Sequence, residues 1–202
     1  MSASTRPAAP LRRREFIAAL LERRGRLLVV SGLGSPTWDC AAAGDHPLTF
    51  PLWGAMGSAC MVGLGLALAQ PGRRVLVVTG DGEMLMGMGS LATIGARRPD
   101  NLAIVVLDNE RYGETGMQKS HTAHGIGLAA VAAACGFAHA GVVAKGAEIP
   151  GVRTGIHRRR GPLLYQVKVK AESLPLALPP RDGAWLKHRF RHALLGRTLP
   201  DC

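Results

Sequence analysis

The sequence predicts a three-layer α/β fold, doubly wound around a mostly parallel sheet. Three observations predict it. Runs of Val, Ile and Leu recur along the chain with helical patterns between them, the order expected of strand–helix–strand units. Those runs are continuous rather than alternating, which suits strands buried on both faces. The 202 residues, 47% apolar and 19% charged, are enough for one well-filled core and too few for two full-sized domains.

Residues 1–10, rich in Ala, Pro and Ser, read as a flexible tail, and 11–202 as one domain. From Leu11 to Arg24 the apolar positions Leu11, Phe16, Ile17, Leu20 and Leu21 recur near helical spacing, and Gly25 ends that helix. Leu27–Val30 is a buried strand running into a glycine-bearing loop, a place where open parallel sheets bind ligands. Gly54–Ala69 reads as a closely packed helix of small residues, closed by Pro71-Gly72. Val75–Thr79 is the second strand, Leu85–Ala96 a helix, and Leu102–Leu107 the third strand. A loop from Glu110 to Gly125 precedes a helix at Leu128–Cys135. Residues 141–160 should give a strand, a loop and a helix, but Pro150, Gly151 and Gly155 make the helical pattern poor. The fourth strand lies in PLLYQVKVK, and a last helix begins near Gly183. No repeat and no interdomain linker stand out.

Several function classes recede on composition. Cys40, Cys60, Cys135 and Cys202 lie far apart, without a C-x-x-C pair or a histidine at zinc-ligand spacing, so reduced thiols in a cytoplasm fit better than disulfides or structural zinc. The longest apolar stretch, Ala59–Ala69, is too short to span a bilayer, and the N-terminus lacks the apolar run of a signal peptide, so a soluble cytoplasmic protein is expected. The net charge of +11 raises the question of nucleic acid. Its arginine and lysine clusters carry no interleaved aromatics, and aromatic content is 4%, leaving little from which to build a base-stacking platform. Nucleic acid is therefore not the expected partner.

Two strand ends carry the chemistry. Gly80-Asp81-Gly82 follows the second strand and Asp108-Asn109 follows the third, with 25 residues between Gly82 and Asp108. One strand–helix–strand crossover fills that gap, so both ends can lie at one edge of the sheet. A carboxylate, an amide oxygen and backbone carbonyls can converge there on a hard cation, and Mg²⁺ is commonly shared with a ligand's phosphates. Glycines let the backbone approach a diphosphate, whose charge suits the following helix N-terminus. Gly, Asp and Asn are also ordinary turn residues, so turn chemistry at two strand ends is the alternative.

The spaced GDG and DN, on these secondary structures, resemble the signature of thiamine-diphosphate enzymes. The stretch GDGEMLMGMGSLATIGARRPDNLAIVVLDNERYGETGMQ is similar to sulfopyruvate decarboxylase β subunits and the matching half of phosphonopyruvate decarboxylases, and the likeness runs from about Ser31 to the last helix. It implies the diphosphate-binding (PP-type) domain of that fold, with thiamine diphosphate and Mg²⁺ as cofactors. By that resemblance Asp81, the Asn109 side chain and the Arg111 carbonyl bind Mg²⁺. Gly82 and Glu83 offer backbone N–H groups to the diphosphate, Tyr112 joins the cofactor-binding positions, and Gly54 and Gly80 line the pyrimidine side. Met56, in GAMGS, matches an apolar residue that wedges beneath the cofactor; without the resemblance it reads first as core filler. Two positions depart from the common pattern. Asp108 replaces the first of two asparagines, and Glu83 stands where a small residue is usual, so its carboxylate is expected to point away from the diphosphate. His121, His124 and Glu114 lie on the loop after the metal site. The histidines suit proton transfer near neutral pH, but solvated loop positions are the plainer reading.

The resemblance also implies what the chain lacks, since the glutamate that activates the cofactor belongs to a separate pyrimidine-binding domain. The expectation is a β subunit, inactive alone, that completes its site with an α subunit in a hetero-oligomer of α–β pairs. The reaction implied is decarboxylation of a small anionic 2-oxo acid to an aldehyde. An acetolactate-synthase-like carboligase subunit and a non-catalytic cofactor-binding remnant are the alternatives, the poor helix at 141–160 favouring the remnant.

Overall fold

The computed structural model describes residues 10–196; the expected tail, apart from Pro10, and the last six residues lie outside that range. Six parallel strands form the central sheet: β1 (Leu28–Ser31), β2 (Thr49–Pro51), β3 (Val75–Gly80), β4 (Leu102–Asp108), β7 (His139–Val143) and β8 (Leu163–Lys168). Their order is β2-β1-β3-β4-β8-β7. A separate antiparallel hairpin, β5 (Arg111–Tyr112) with β6 (Gln118–Lys119), projects from the loop after β4.

Helices cover both faces, giving the three layers that the continuous apolar strands predict. On one face α1 (Arg13–Leu21), α2 (Ser35–Ala42) and α7 (Ile149–Arg158) bury Phe16, Ile17, Leu20, Cys40, Val152 and Ile156 against Val29, Leu76, Val105 and Val167. On the other, α3 (Ala59–Ala69), α4 (Asp81–Met86), α5 (Ser90–Arg97), α6 (Leu128–Ala134) and α8 (Gly183–Leu195) cover Leu28, Val77, Ile104 and Leu164. Successive residues of one strand thus supply opposite cores, as the period of two requires.

The differences from the sequence expectation have local causes. Helix α1 stops at Leu21, because Arg23 and Gly25 both take positive φ. The glycine-bearing loop after β1 is short and passes into α2, whose Pro36 sits in the first turn, where its missing N–H costs nothing. Strand β2, only three residues long and ending in Pro51, lies at the sheet edge, where proline is tolerated. Helix α3 starts at Ala59 rather than Gly54, since Ala55 (φ 56) and Gly57 (φ 88) form a turn.

The expected single helix at Leu85–Ala96 is two. Its break at Gly87–Gly89 has a packing reason: a Cβ on Gly87 would lie 2.1 Å from the Gly57 carbonyl oxygen. This backbone contact seats the Met56 turn against the end of α4. The loop from Glu110 to Gly125 contains the hairpin and a short 3₁₀ turn at His121–His124. Residues 141–160, unpromising in sequence, form the end of β7, a 3₁₀ turn and α7. Pro150 falls in the first turn of α7, and Gly155 is needed because its Cβ would meet the Tyr165 hydroxyl at 2.1 Å. The region is ordinary α/β crossover, so the hint it gave of a remnant fails.

Candidate functional site

The connections from β1 to β2 and from β3 to β4 run in opposite directions along the sheet. The loops leaving their C-terminal ends therefore diverge and open a crevice, the position where such sheets bind ligands. A cleft lies there. Its wall is built from the β1–α2 loop, the Met56 turn, the start of α4 and the β4–β5 connection.

Asp81 opens α4, with its carboxylate buried beneath the β5–β6 segment. Oδ2 accepts the Ser120 hydroxyl at 2.5 Å, and the Thr122 hydroxyl stands 3.2 Å away. Burial pushes its pKa up to about 6, with repulsion from Asp108 adding to the rise and the Ser120 and Thr122 hydroxyls opposing it. Among the described residues three aspartates are almost wholly buried, and two of them have cations: Asp39 pairs with Arg13 and Arg14, and Asp108 with Lys168 at 2.7 Å. Asp81 has hydroxyls and its own backbone N–H, and no cation.

Asp108 is filled internally. Oδ1 takes the Thr122 hydroxyl at 2.7 Å and the Glu110 N–H at 3.1 Å, while Oδ2 takes the Gln166 amide at 2.6 Å. Asn109, half-buried on the cleft wall, accepts the Arg111 N–H on Oδ1 at 2.9 Å, leaving that oxygen a second lone pair. Tyr112 lies across Gly82, where a Cβ would come within 2.8 Å of its ring, and its hydroxyl meets His121 Nδ1 at 2.6 Å.

The Glu83 carboxylate is tucked among Thr79, Gly32, Leu33 and the Gly57–Ala59 segment. Thr79 donates to Oε2 at 2.8 Å, and burial raises the pKa against that bond and the nearby N–H groups. It thus braces the two loops flanking the cleft. Glu114 hangs from the hairpin with Oε1 only 2.1 Å from where a Cβ on Gly34 would be, so its carboxylate rests on the start of α2.

The structure therefore brings Met56, Gly80, Asp81, Gly82, Glu83, Asn109, Arg111, Tyr112 and Glu114 to one cleft. It leaves Gly54, exposed in the same turn as Met56, and the exposed His121 and His124 off the wall. Sequence reasoning missed Ser35 and Arg13, which also line the cleft. Ser35-Pro36 after a glycine loop is a legible helix start, whereas nothing in sequence links Arg13 to the Asp39 carboxylate that holds it.

Residues 35–167 match the family model described as thiamine pyrophosphate enzyme, C-terminal TPP binding domain. The chain belongs to this family. The match spans both strand ends of the cleft, and it makes this chain a thiamine-diphosphate-binding domain. The chain is 32% identical over 186 residues to the sulfopyruvate decarboxylase subunit beta of Methanococcus maripaludis, covering 91% of this chain and 98% of that one. It is 38% identical over 191 residues to the phosphonopyruvate decarboxylase of Streptomyces viridochromogenes, covering 92% of this chain and 48% of that protein. The chain thus spans about half the length of that second relative. Among solved structures, the benzoylformate decarboxylase of Polynucleobacter necessarius superposes with a TM-score of 0.69 at 21% identity, over 87% of this chain and 36% of that one, which supports the fold. Among the described residues, no helix of this thiamine-diphosphate-binding domain is long and apolar enough to cross a membrane.

Proposed function

We propose that this chain is the β subunit of a thiamine-diphosphate-dependent decarboxylase acting on a small anionic 2-oxo acid, of the sulfopyruvate or phosphonopyruvate type. It holds the cofactor diphosphate through Mg²⁺, and an α subunit supplies the activating glutamate. The near-complete overlap with a curated β subunit supports the subunit assignment.

The observation that carries the cofactor reading is Asp81, a buried carboxylate without a cation, on the wall of a cleft at the strand ends. Among the described residues no three His, Cys, Asp or Glu side chains cluster as a metal site. A cation here would take the Asp81 carboxylate, the Asn109 amide oxygen and the Arg111 carbonyl, with the rest from diphosphate and water. That all-oxygen, ligand-sharing set suits Mg²⁺. At the start of α2, Pro36 has no N–H and Thr37 and Trp38 donate to the Gly34 carbonyl, leaving the Ser35 N–H for a phosphate oxygen. Gly82 and Glu83 contribute theirs, and the Glu83 side chain stays behind them.

When bound, thiamine diphosphate supplies the electron sink that allows a 2-oxo acid to lose CO₂. The residues of this chain bind and orient it: Asp81 and Asn109 through the cation, Met56 and Gly80 against its body, Tyr112 by closing over Gly82. Of the proton-transfer candidates, Glu114 stands on the wall and His121 reaches it through the Tyr112 hydroxyl. Co-purification of the chain with its α subunit, followed by CO₂ release from sulfopyruvate and phosphonopyruvate, tests the reading. Turnover that needs both subunits, Mg²⁺ and Asp81 is expected; cofactor-independent turnover, or none from any 2-oxo acid tried, contradicts it.

A further inference from the structure

A second groove opens at the opposite edge of the sheet, where β1 and β3 begin. It is lined by Arg24, Arg26, Arg73, Arg74 and His157, with Leu27 and Gly72 between them. The cofactor cleft lies at the far ends of the same strands, about 20 Å away for a six-residue strand rising ~3.3 Å per residue.

Four arginines and a histidine line this groove, and no acidic residue does. The acids nearby are already taken: Glu22 pairs with Arg23 and Arg153, and Asp100 with Arg160. Arg24 is 8% exposed. It donates to the Thr49 hydroxyl at 2.6 Å and to the carbonyls of Leu27 and Leu48 at 2.8 and 3.0 Å. Its Nε, sealed from solvent, has no acceptor, and neither does the Nε of Arg73. Arg73 makes one bond, from Nη2 to the Arg26 carbonyl at 2.8 Å, and the Arg26 side chain makes none among the described residues. Arg74 is spent on the carbonyls of Ile156, Asp100 and Gly155 and fixes the groove's shape.

A buried guanidinium without a counter-ion is costly unless an opposite charge lies close by. The titration behaviour agrees. Burial lowers the Arg24 pKa to about 10, burial and Arg26 lower that of Arg73, and burial with Arg74 and Arg153 lowers that of His157. A tetrahedral oxyanion brings charge and several acceptors at once, and guanidinium forks match its geometry. The groove carries no Phe, Tyr or Trp on which a base could stack, which favours a small anion over a nucleic-acid strand.

We propose that this groove is a binding site for a small phosphate-type oxyanion, held by Arg26 and Arg73 beside the buried charge of Arg24 and separate from the cofactor cleft. It stands independently of the decarboxylase reading. Inorganic phosphate is the probe, titrated calorimetrically into the full chain against chloride at matched ionic strength. The variants are Arg26→Gln, Arg73→Gln and, for the cleft, Asp81→Asn. Arg26 is exposed and makes no side-chain contact that the fold needs, so Arg26→Gln remains folded and keeps the test decisive.

Saturable phosphate binding is expected, weakened at least tenfold in Arg26→Gln and Arg73→Gln and unchanged in Asp81→Asn. Binding retained at full strength in both arginine variants would place the anion elsewhere and overturn the proposal. So would a response that chloride reproduces, or affinity for single-stranded nucleic acid with none for phosphate.

Discussion

Asp81 is where burial and chemistry conflict most. Its folded pKa of about 6 lies above the ordinary 3.8, so the stability linked to this carboxylate is whole below pH 4 and is lost as pH rises through 6. A shift of that size corresponds to roughly 2–3 kcal/mol at pH 7. Asp81→Asn, neutral and of the same shape, should therefore raise the melting temperature of the cofactor-free chain while removing magnesium-dependent binding. A lower melting temperature at pH 7 would show that the ionised carboxylate is stabilising instead. The same sign fixes the pH dependence: the cation needs the ionised form, so cofactor affinity should fall as pH drops below 6, by up to about tenfold per unit. Titrations at pH 5 and pH 7 would reveal it, and equal affinities would mean that Asp81 does not ligate. Met56 carries a different prediction. Its side chain lies on the cleft wall, 38% exposed, with space to reach a ligand. Met56→Ala should lower kcat several-fold and cofactor affinity little; an unchanged kcat would leave it a surface residue.

At the scale of elements, what sequence makes legible is what local physics decides. The central strands are continuous Val, Ile and Leu runs, and each formed within a residue or two of its expected place. Helix α8 begins at Gly183 as expected, with Asp182 accepting the Trp185 N–H. The elements that escaped are those set by partners distant in sequence. The break between α4 and α5 answers to Gly57, and the glycine in α7 to Tyr165 on β8. Gly95 in α5 tests this. Alanine there gains about 1 kcal/mol of helix propensity. Its Cβ would, however, lie 1.8 Å from the Cys135 backbone oxygen, and overpacking costs about 1–3 kcal/mol or more against rigid backbone. Gly95→Ala should lower the melting temperature, and a rise would mean that α6 can yield. The site divides in the same way. GDG and DN are contiguous motifs on strand ends and read directly, whereas the placement of Arg13 and Glu114 depends on side chains meeting across the cleft.

For the whole molecule, charge and shape are arranged by edge. The C-terminal edge carries the cleft and its uncompensated carboxylate, and the N-terminal edge carries the arginine groove. No charged residue occurs from Pro47 to Gly72, which includes the Met56 turn and α3, although the chain carries a net +11. Met56 and Met61 are exposed in this segment, and Met86 and Met88 are exposed beside Gly87, which packs against it. Partner docking over the cleft would bury such a surface, in keeping with a site completed by a second subunit. The central claim is that the Asp81 cleft binds thiamine diphosphate through a divalent cation. Calorimetric titration of thiamine diphosphate into the chain with its α subunit, with and without Mg²⁺ and in wild type and Asp81→Asn, tests it most directly. The account predicts saturable binding that disappears without the metal and in the variant. Binding of equal strength in the variant, or without the metal, would contradict it.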